Sequence, residues 1–143
     1  MLLGERINVI LTIGLPRSGK STWAKNHTFP IVNRDSIRLA LYNQPYIQEM
    51  EEFVSYFETK MADSLIIAGN KTIIIDATHM KQKYIDKWKN QDHVKLILKY
   101  FYVHPDTCKQ RAIDSDTEYL IPVIDRMFNE TDIEPFKRQL ESC

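Results

Sequence analysis

Residues Thr12 to Lys25 read TIGLPRSGKSTWAK. Within them Gly14-Leu15-Pro16-Arg17-Ser18-Gly19-Lys20-Ser21 fits the pattern G-x-x-x-x-G-K-[ST], a loop that cradles the phosphates of a nucleoside triphosphate. The residue types follow from that task. Glycines let backbone N–H groups approach the phosphates, and the N-terminus of the next helix adds positive potential. Lys20 can reach the β- and γ-phosphates, and Ser21 offers a hydroxyl to Mg²⁺. Thr22 is expected to add an α-phosphate contact. Arg17 stands where many small P-loop kinases carry glycine; it either adds charge at the phosphate entrance or points into water.

The loop predicts its own surroundings, a strand before it and a helix after it. Arg6 to Ile13 has strand character, with Ile7, Val9, Leu11 and Ile13 on one face and Ile10 on the other. A helix is expected from Gly19-Lys20 to about Asn26, and a second short strand at Phe29 to Asn33. Ile47, Met50, Val54, Phe57, Met61, Leu65 and Ala68 recur at three- and four-residue steps, which predicts a long helix with that stripe in the core, stopping near Gly69-Asn70. Lys71 to Asp76 is expected as a buried strand, Lys81 to Asn90 as a helix and Val94 to Val103 as a strand. Helices should follow at Pro105 to about Ser115 and from Pro122 through Asn129. Alternating strands and helices imply an α/β fold, a parallel sheet with helices on both faces, because parallel strands need crossovers. Ligands in such sheets sit at the carboxyl ends of the strands.

Composition narrows the function. The chain of 143 residues is 43% apolar and 27% charged, enough for a single domain, 1–143, with its own core. Lys+Arg and Asp+Glu both number 19, so there is no basic excess for tracking along nucleic acid by counterion release; any such contact should be local. Apolar runs such as Ile73 to Ile75 fall far short of a membrane span, and Glu5 and Arg6 interrupt any signal-peptide core. A cytoplasmic protein is expected. Cys108 and Cys143 lack metal-ligand spacing and are expected as free thiols. The four histidines form no metal-ligand pattern, and His79 is expected at the surface or in an acceptor groove.

The phosphate acceptor depends on NRDSIR, Asn33 to Arg38, which follows the second strand and so shares the rim of the P-loop. Asp35 is either a carboxylate that holds an acceptor hydroxyl in line with the γ-phosphate, or the N-cap of a helix from Ser36 to Leu41 with Arg38 as its solvated i,i+3 partner. Capping and catalysis are compatible. An aspartate is a weak base for an alcohol, so orientation would be its main work. Asp76 ends an isoleucine-rich strand; it either binds Mg²⁺ through water or orients Arg38, or it caps the next turn.

Taken together, ILTIGLPRSGKSTWAK, NRDSIR, a strand ending in DATH and the later IPVIDRM resemble the kinase domain of phage-type polynucleotide 5′-hydroxyl kinases in order and spacing, over nearly the whole chain. The resemblance implies that Lys20 and Ser21 bind ATP and Mg²⁺. It makes Asp35 the general base for the 5′-hydroxyl of RNA or DNA, and Arg38 the ligand of the phosphate adjoining the terminal nucleoside. Asp76 and Thr78 fall in the acceptor-side loop, and residues of about 105–130 form a helical lid. That family's lid carries two arginines; Arg111 matches the first, whereas the second position falls in the acidic DSDTEY, Asp114 to Tyr119. Arg126, Lys109 or Arg17 could take its place, and Arg126 is equally a salt-bridge former. There is no room for the phosphatase domain of some family members, so a separate 3′-phosphatase and a ligase are the expected partners in end repair. A kinase of a nucleoside, nucleotide or other small hydroxyl compound is the alternative, and a non-enzymatic nucleotide-binding module a third reading.

Overall fold

A computed structural model describes residues 5–44 and 47–142, without the side chains of 140–142. Four strands, β1 (Ile7–Ile13), β2 (Ile31–Asn33), β3 (Thr72–Asp76) and β4 (Val94–Tyr100), form one parallel sheet in the order β2-β3-β1-β4. The expected α/β architecture is present. Register follows side-chain alternation: Val9, Leu11, Ile13, Ile73 and Ile75 enter a large core on one face, while Ile10 and Ile74 enter a small one on the other. These side chains are almost wholly removed from water, at about 25 cal/mol per Å² of apolar surface buried.

The two faces are covered unequally. α1 (Lys20–Lys25) lies over the small core through Ala24 and Trp23. The large core takes residues from α3 (Glu51–Ile67), α4 (Gln82–Lys89), α5 (Pro105–Asp114), α6 (Ile121–Glu130) and α7 (Glu134–Ser142). α2 (Arg34–Tyr42) adds Ile37. At the β4 edge the small-core face carries the exposed Lys95, Ile97 and Lys99, and charged edge strands of this kind resist pairing with another sheet.

Several expectations need correction. β4 stops at Tyr100 rather than Val103. A 3₁₀ turn, Gln48–Met50, precedes α3, and the stripe on that helix is rotated: Phe57 is 40% exposed and Met61 42%, whereas Val54, Glu58 and Ala62 are buried. The cause is Glu58, which accepts Lys87 Nζ at 2.9 Å and lies 3.2 Å from Arg34 Nη1. A buried carboxylate must be paired, and these two cations turn a polar face of α3 inward. α7 was not expected at all. Its nine residues are amphipathic but mostly polar or charged, with few apolar side chains to mark them, and Phe136 packs against the rings of Tyr100 and Tyr102 and is fully buried. Just before it, Asp132 Oδ1 accepts from the backbone N–H of Gln82 and caps α4 from 50 residues away. Among the described residues no helix is long and apolar enough to cross a membrane. Cys108 is a buried free thiol; Cys143 lies outside the described residues.

Candidate nucleotide and phosphoryl-acceptor site

The C-terminal ends of β1, β2 and β3 open on one rim, and the parallel register places Asn33 beside Asp76. β1 leads into the P-loop. Gly14 admits no side chain, since a Cβ there would sit 2.7 Å from Ser18 Oγ and 2.9 Å from Phe101 Cβ. Its N–H bonds the Thr78 carbonyl at 3.0 Å, tying the P-loop to the acceptor-side loop. Leu15 anchors the loop in the core at 0% exposure, and Pro16 follows it toward the surface. Arg17 (φ 66) and Gly19 (φ 98) both take left-handed backbone conformations.

Lys20 is folded inside the loop. Its Nζ donates to the Leu15 carbonyl at 2.6 Å and lies 3.4 Å from Ser18 Oγ, with the residue 7% exposed. Burial lowers its pKa from 10.5 to about 8, and Asp76, Cys108 and Asp35 only partly oppose the shift. Below about pH 8 the ammonium is charged in both the folded and unfolded chain, and the penalty of burying it is fully present. Between about 8 and 10.5 the folded chain has lost a proton that the unfolded chain keeps, so this group makes stability rise with pH there. Phosphates favour the ammonium form. ATP affinity should therefore fall as pH rises through about 8, with proton uptake on binding, read by titration calorimetry in buffers of different ionisation heat. Affinity independent of pH across that window would show that Lys20 is not the group meeting the phosphates.

Ser21 Oγ donates to Asp76 Oδ2 at 2.8 Å. The same oxygen accepts Asn33 Nδ2 at 2.8 Å, and the Thr12 hydroxyl lies 3.3 Å from Oδ1 while donating to the Ala77 carbonyl at 2.8 Å. Asp76 is thus aimed by three side chains and 3% exposed. A serine hydroxyl beside a carboxylate is a hard oxygen donor pair suited to Mg²⁺. Among the described residues no group of three His, Cys, Asp or Glu could hold a metal alone, so phosphate and water would complete its shell. Thr22, exposed one residue on, starts the outward face of α1.

The capping alternative for Asp35 is corrected. Asn33 is the N-cap of α2, its Oδ1 accepting from Ser36 N–H at 2.8 Å, while its amide holds Asp76. Asp35 sits in the first turn with its side chain 76% exposed. Arg38 is likewise no solvated partner: its side chain is 15% exposed, with Nη1 2.7 Å from Asp35 Oδ1 and Nε 2.7 Å from Glu51 Oε1. Burial works against its charge, but bonding to Glu51 and Asp35 outweighs it, and the pKa is raised. Glu51 also accepts Arg34 Nη2 at 2.9 Å, so the Arg34-Glu51-Arg38 chain fixes α2 against α3. Arg34, Glu51 and Glu58 were missed in the sequence, where charged residues within helical stretches look solvated. Asn33 was missed as a link because its two roles appear only when β2 and β3 pair.

His79 is corrected too. It is 4% exposed with φ 46, and Nδ1 lies 2.6 Å from the Thr12 carbonyl. Burial lowers its pKa, so the neutral ring donates Nδ1–H and braces the loop carrying Thr78. On the opposite side, α5 rests on the P-loop: Arg111 Nη1 donates to the Arg17 carbonyl at 3.2 Å. Lys109 is committed to Asp125 at 2.6 Å. Arg126 is exposed on the side of α6 opposite the buried Ile124 and Phe128.

These features define a P-loop, kinase-like nucleotide-binding domain. The chain belongs to the AAA domain family, whose pattern it matches over residues 9–116. Among solved structures it is similar to a chain of the Pnkp1/Rnl/Hen1 complex, with TM-score 0.66 and 21% identity over 77% of this chain and 40% of that one. A chain of the Pnkp1/Rnl/Hen1 RNA repair complex matches with TM-score 0.66 and 18% identity, over 90% and 47%. A gluconokinase from Sinorhizobium meliloti 1021 matches with TM-score 0.55 and 15% identity, over 86% and 75%. The present chain therefore spans less than half the length of the two complex chains it matches.

Proposed function

We propose that the protein is an ATP-dependent kinase that transfers the γ-phosphate to the 5′-hydroxyl end of a polynucleotide. The observation that carries this reading is the Asp35–Arg38 pair on the P-loop rim. It sets an exposed carboxylate beside a guanidinium whose orientation is held by Glu51. A terminal nucleotide presents the matching pair, a hydroxyl and, one nucleoside away, a phosphate. MgATP supplies the phosphoryl group and, through the metal, neutralises part of its charge. Lys20 and the loop N–H groups bind the β- and γ-phosphates, with Ser21 and Asp76 as the residues that would hold the ion. Asp35 orients the acceptor hydroxyl and takes its proton late along a loose transition state. Arg38 holds the acceptor phosphate, and Arg111 closes the donor side from α5. Zero net charge suits recognition of a strand end rather than a long tract. The RNA repair assembly among the similar structures supports an end-repair setting, in which a ligase and a separate 3′-phosphatase would be the partners.

The match to a gluconokinase, three quarters of whose chain is covered, favours the second reading, a small-molecule hydroxyl kinase. Transfer of labelled γ-phosphate to 5′-hydroxyl RNA and DNA oligomers, nucleoside 3′-monophosphates, free nucleosides and sugars separates the two. In that assay Arg38→Ala should cost a nucleoside 3′-monophosphate about ten- to a hundredfold in kcat/KM, the worth of a charge-assisted hydrogen bond, and a free nucleoside much less. Arg34 remains on Glu51 in this variant, so the α2–α3 frame should hold. Equal losses for both acceptors would make Arg38 part of the framework and favour the small-molecule reading.

A further inference from the structure

The donor side lacks the second lid arginine that two-arginine clamps use, and the chain beyond α5 carries Asp114, Asp116 and Glu118 instead. Charge developing on the phosphoryl oxygens still calls for a cation. Of the three residues that could supply it, Lys109 is held by Asp125 at 2.6 Å, and Arg126 stands on the outward side of α6. Arg17 is different. It lies inside the phosphate loop, three residues before Lys20, and its carbonyl is the acceptor for Arg111 at 3.2 Å. Its φ of 66 is in the left-handed region, where a side chain costs conformational energy that glycine avoids. Among the described residues its exposed guanidinium makes no hydrogen bond or ion pair; the fold holds the residue through its carbonyl, which glycine would offer equally, and gains nothing from the side chain. A side chain kept at a left-handed position of a ligand-binding loop, with no partner in the fold, points to a role with the ligand.

We propose that Arg17 supplies the second guanidinium of the phosphate clamp, from the P-loop rather than from the lid, with Arg111 fixed to its carbonyl as the first. This rests on the kinase reading above. The Arg111–Arg17 bond gives the pair a common footing: the backbone that carries one guanidinium is gripped by the other, so the donor phosphates meet both cations when α5 sits against the loop.

The decisive variant is Arg17→Gly, because its two consequences have opposite signs. Relief of the left-handed φ should raise the thermal unfolding midpoint by a few degrees, which also removes misfolding as an explanation. Loss of the cation should lower kcat/KM for ATP by about ten- to a hundredfold and weaken ATP binding far more than AMP binding. Arg17→Lys should recover part of both. Unchanged transfer and an unchanged ATP-to-AMP affinity ratio in Arg17→Gly would overturn the proposal, and so would equal weakening of both nucleotides, which is the signature of a distorted loop. Nucleotide titration needs no acceptor. If the wild-type protein phosphorylates nothing in the acceptor panel, the kinase reading fails, while the ATP-to-AMP ratio still decides whether Arg17 meets the phosphates.

Discussion

Lys20→Ala is expected to abolish phosphoryl transfer while leaving the protein folded. The ammonium is a buried cation of the P-loop, held between the Leu15 carbonyl and Ser18 Oγ, and its charge is unfavourable there until phosphates arrive. Its removal takes a buried, desolvated charge out of the fold, so stability should hold or rise. Transition-state charge at the γ-phosphate then goes uncompensated in a water-poor site. Losses from removing such a preorganised group run to about 10²–10³ in rate for a single donor, and more when substrate binding is lost as well. The measurement is single-turnover transfer to a 5′-hydroxyl oligonucleotide, with ATP titration and thermal unfolding of both proteins. Wild-type turnover in the variant would rule out the proposed site.

Asp35→Asn separates chemistry from architecture. Because Asn33, not Asp35, caps α2, the substitution leaves the cap intact. It removes a carboxylate with a 76% exposed side chain that is paired with Arg38, and Arg38 keeps Glu51. An exposed pair of this kind plus its helix-terminal charge contributes about 1 kcal/mol or less. Stability and ATP affinity should therefore scarcely change. If the carboxylate orients and deprotonates the acceptor hydroxyl, kcat falls by about 10²–10⁴. Single-turnover transfer at saturating ATP and acceptor reads that step alone. Near-normal turnover would leave Asp35 only as the charge partner of Arg38 and return the acceptor to the small-molecule alternative.

Several elements were legible because the chemistry that makes them is local. A left-handed glycine, a lysine and a serine in the order Gly19-Lys20-Ser21, preceded by alternating β1 residues, define the loop and both its flanking elements within one stretch of chain. The isoleucines of β3 and the proline at the start of α5 are equally local signals. The stripe on α3 was misread for the opposite reason. Apolar spacing marks two overlapping faces on that helix, and the choice between them was made by Arg34 and Lys87, which come from other elements and bury Glu58. α7 escaped notice although its nine residues are amphipathic, because few apolar side chains stand among the polar and charged ones there, and the burial of Phe136 depends on Tyr100 and Tyr102 from another part of the chain.

The amino-acid order by itself determined the parallel α/β fold, the phosphate loop and the presence of a carboxylate and a guanidinium at the end of β2, since each follows from residue type and spacing within a few turns of chain. Tertiary structure alone decided which groups meet. Pairing of β2 with β3 placed Asn33 between the α2 cap and Asp76, packing of α2 on α3 delivered Glu51 to Arg38, and docking of α5 bound Arg111 to the Arg17 carbonyl. Hydrogen bonds and ion pairs act over about 3 Å, while these partners lie 43, 13 and 94 positions apart. Only a folded chain can bring them within that range.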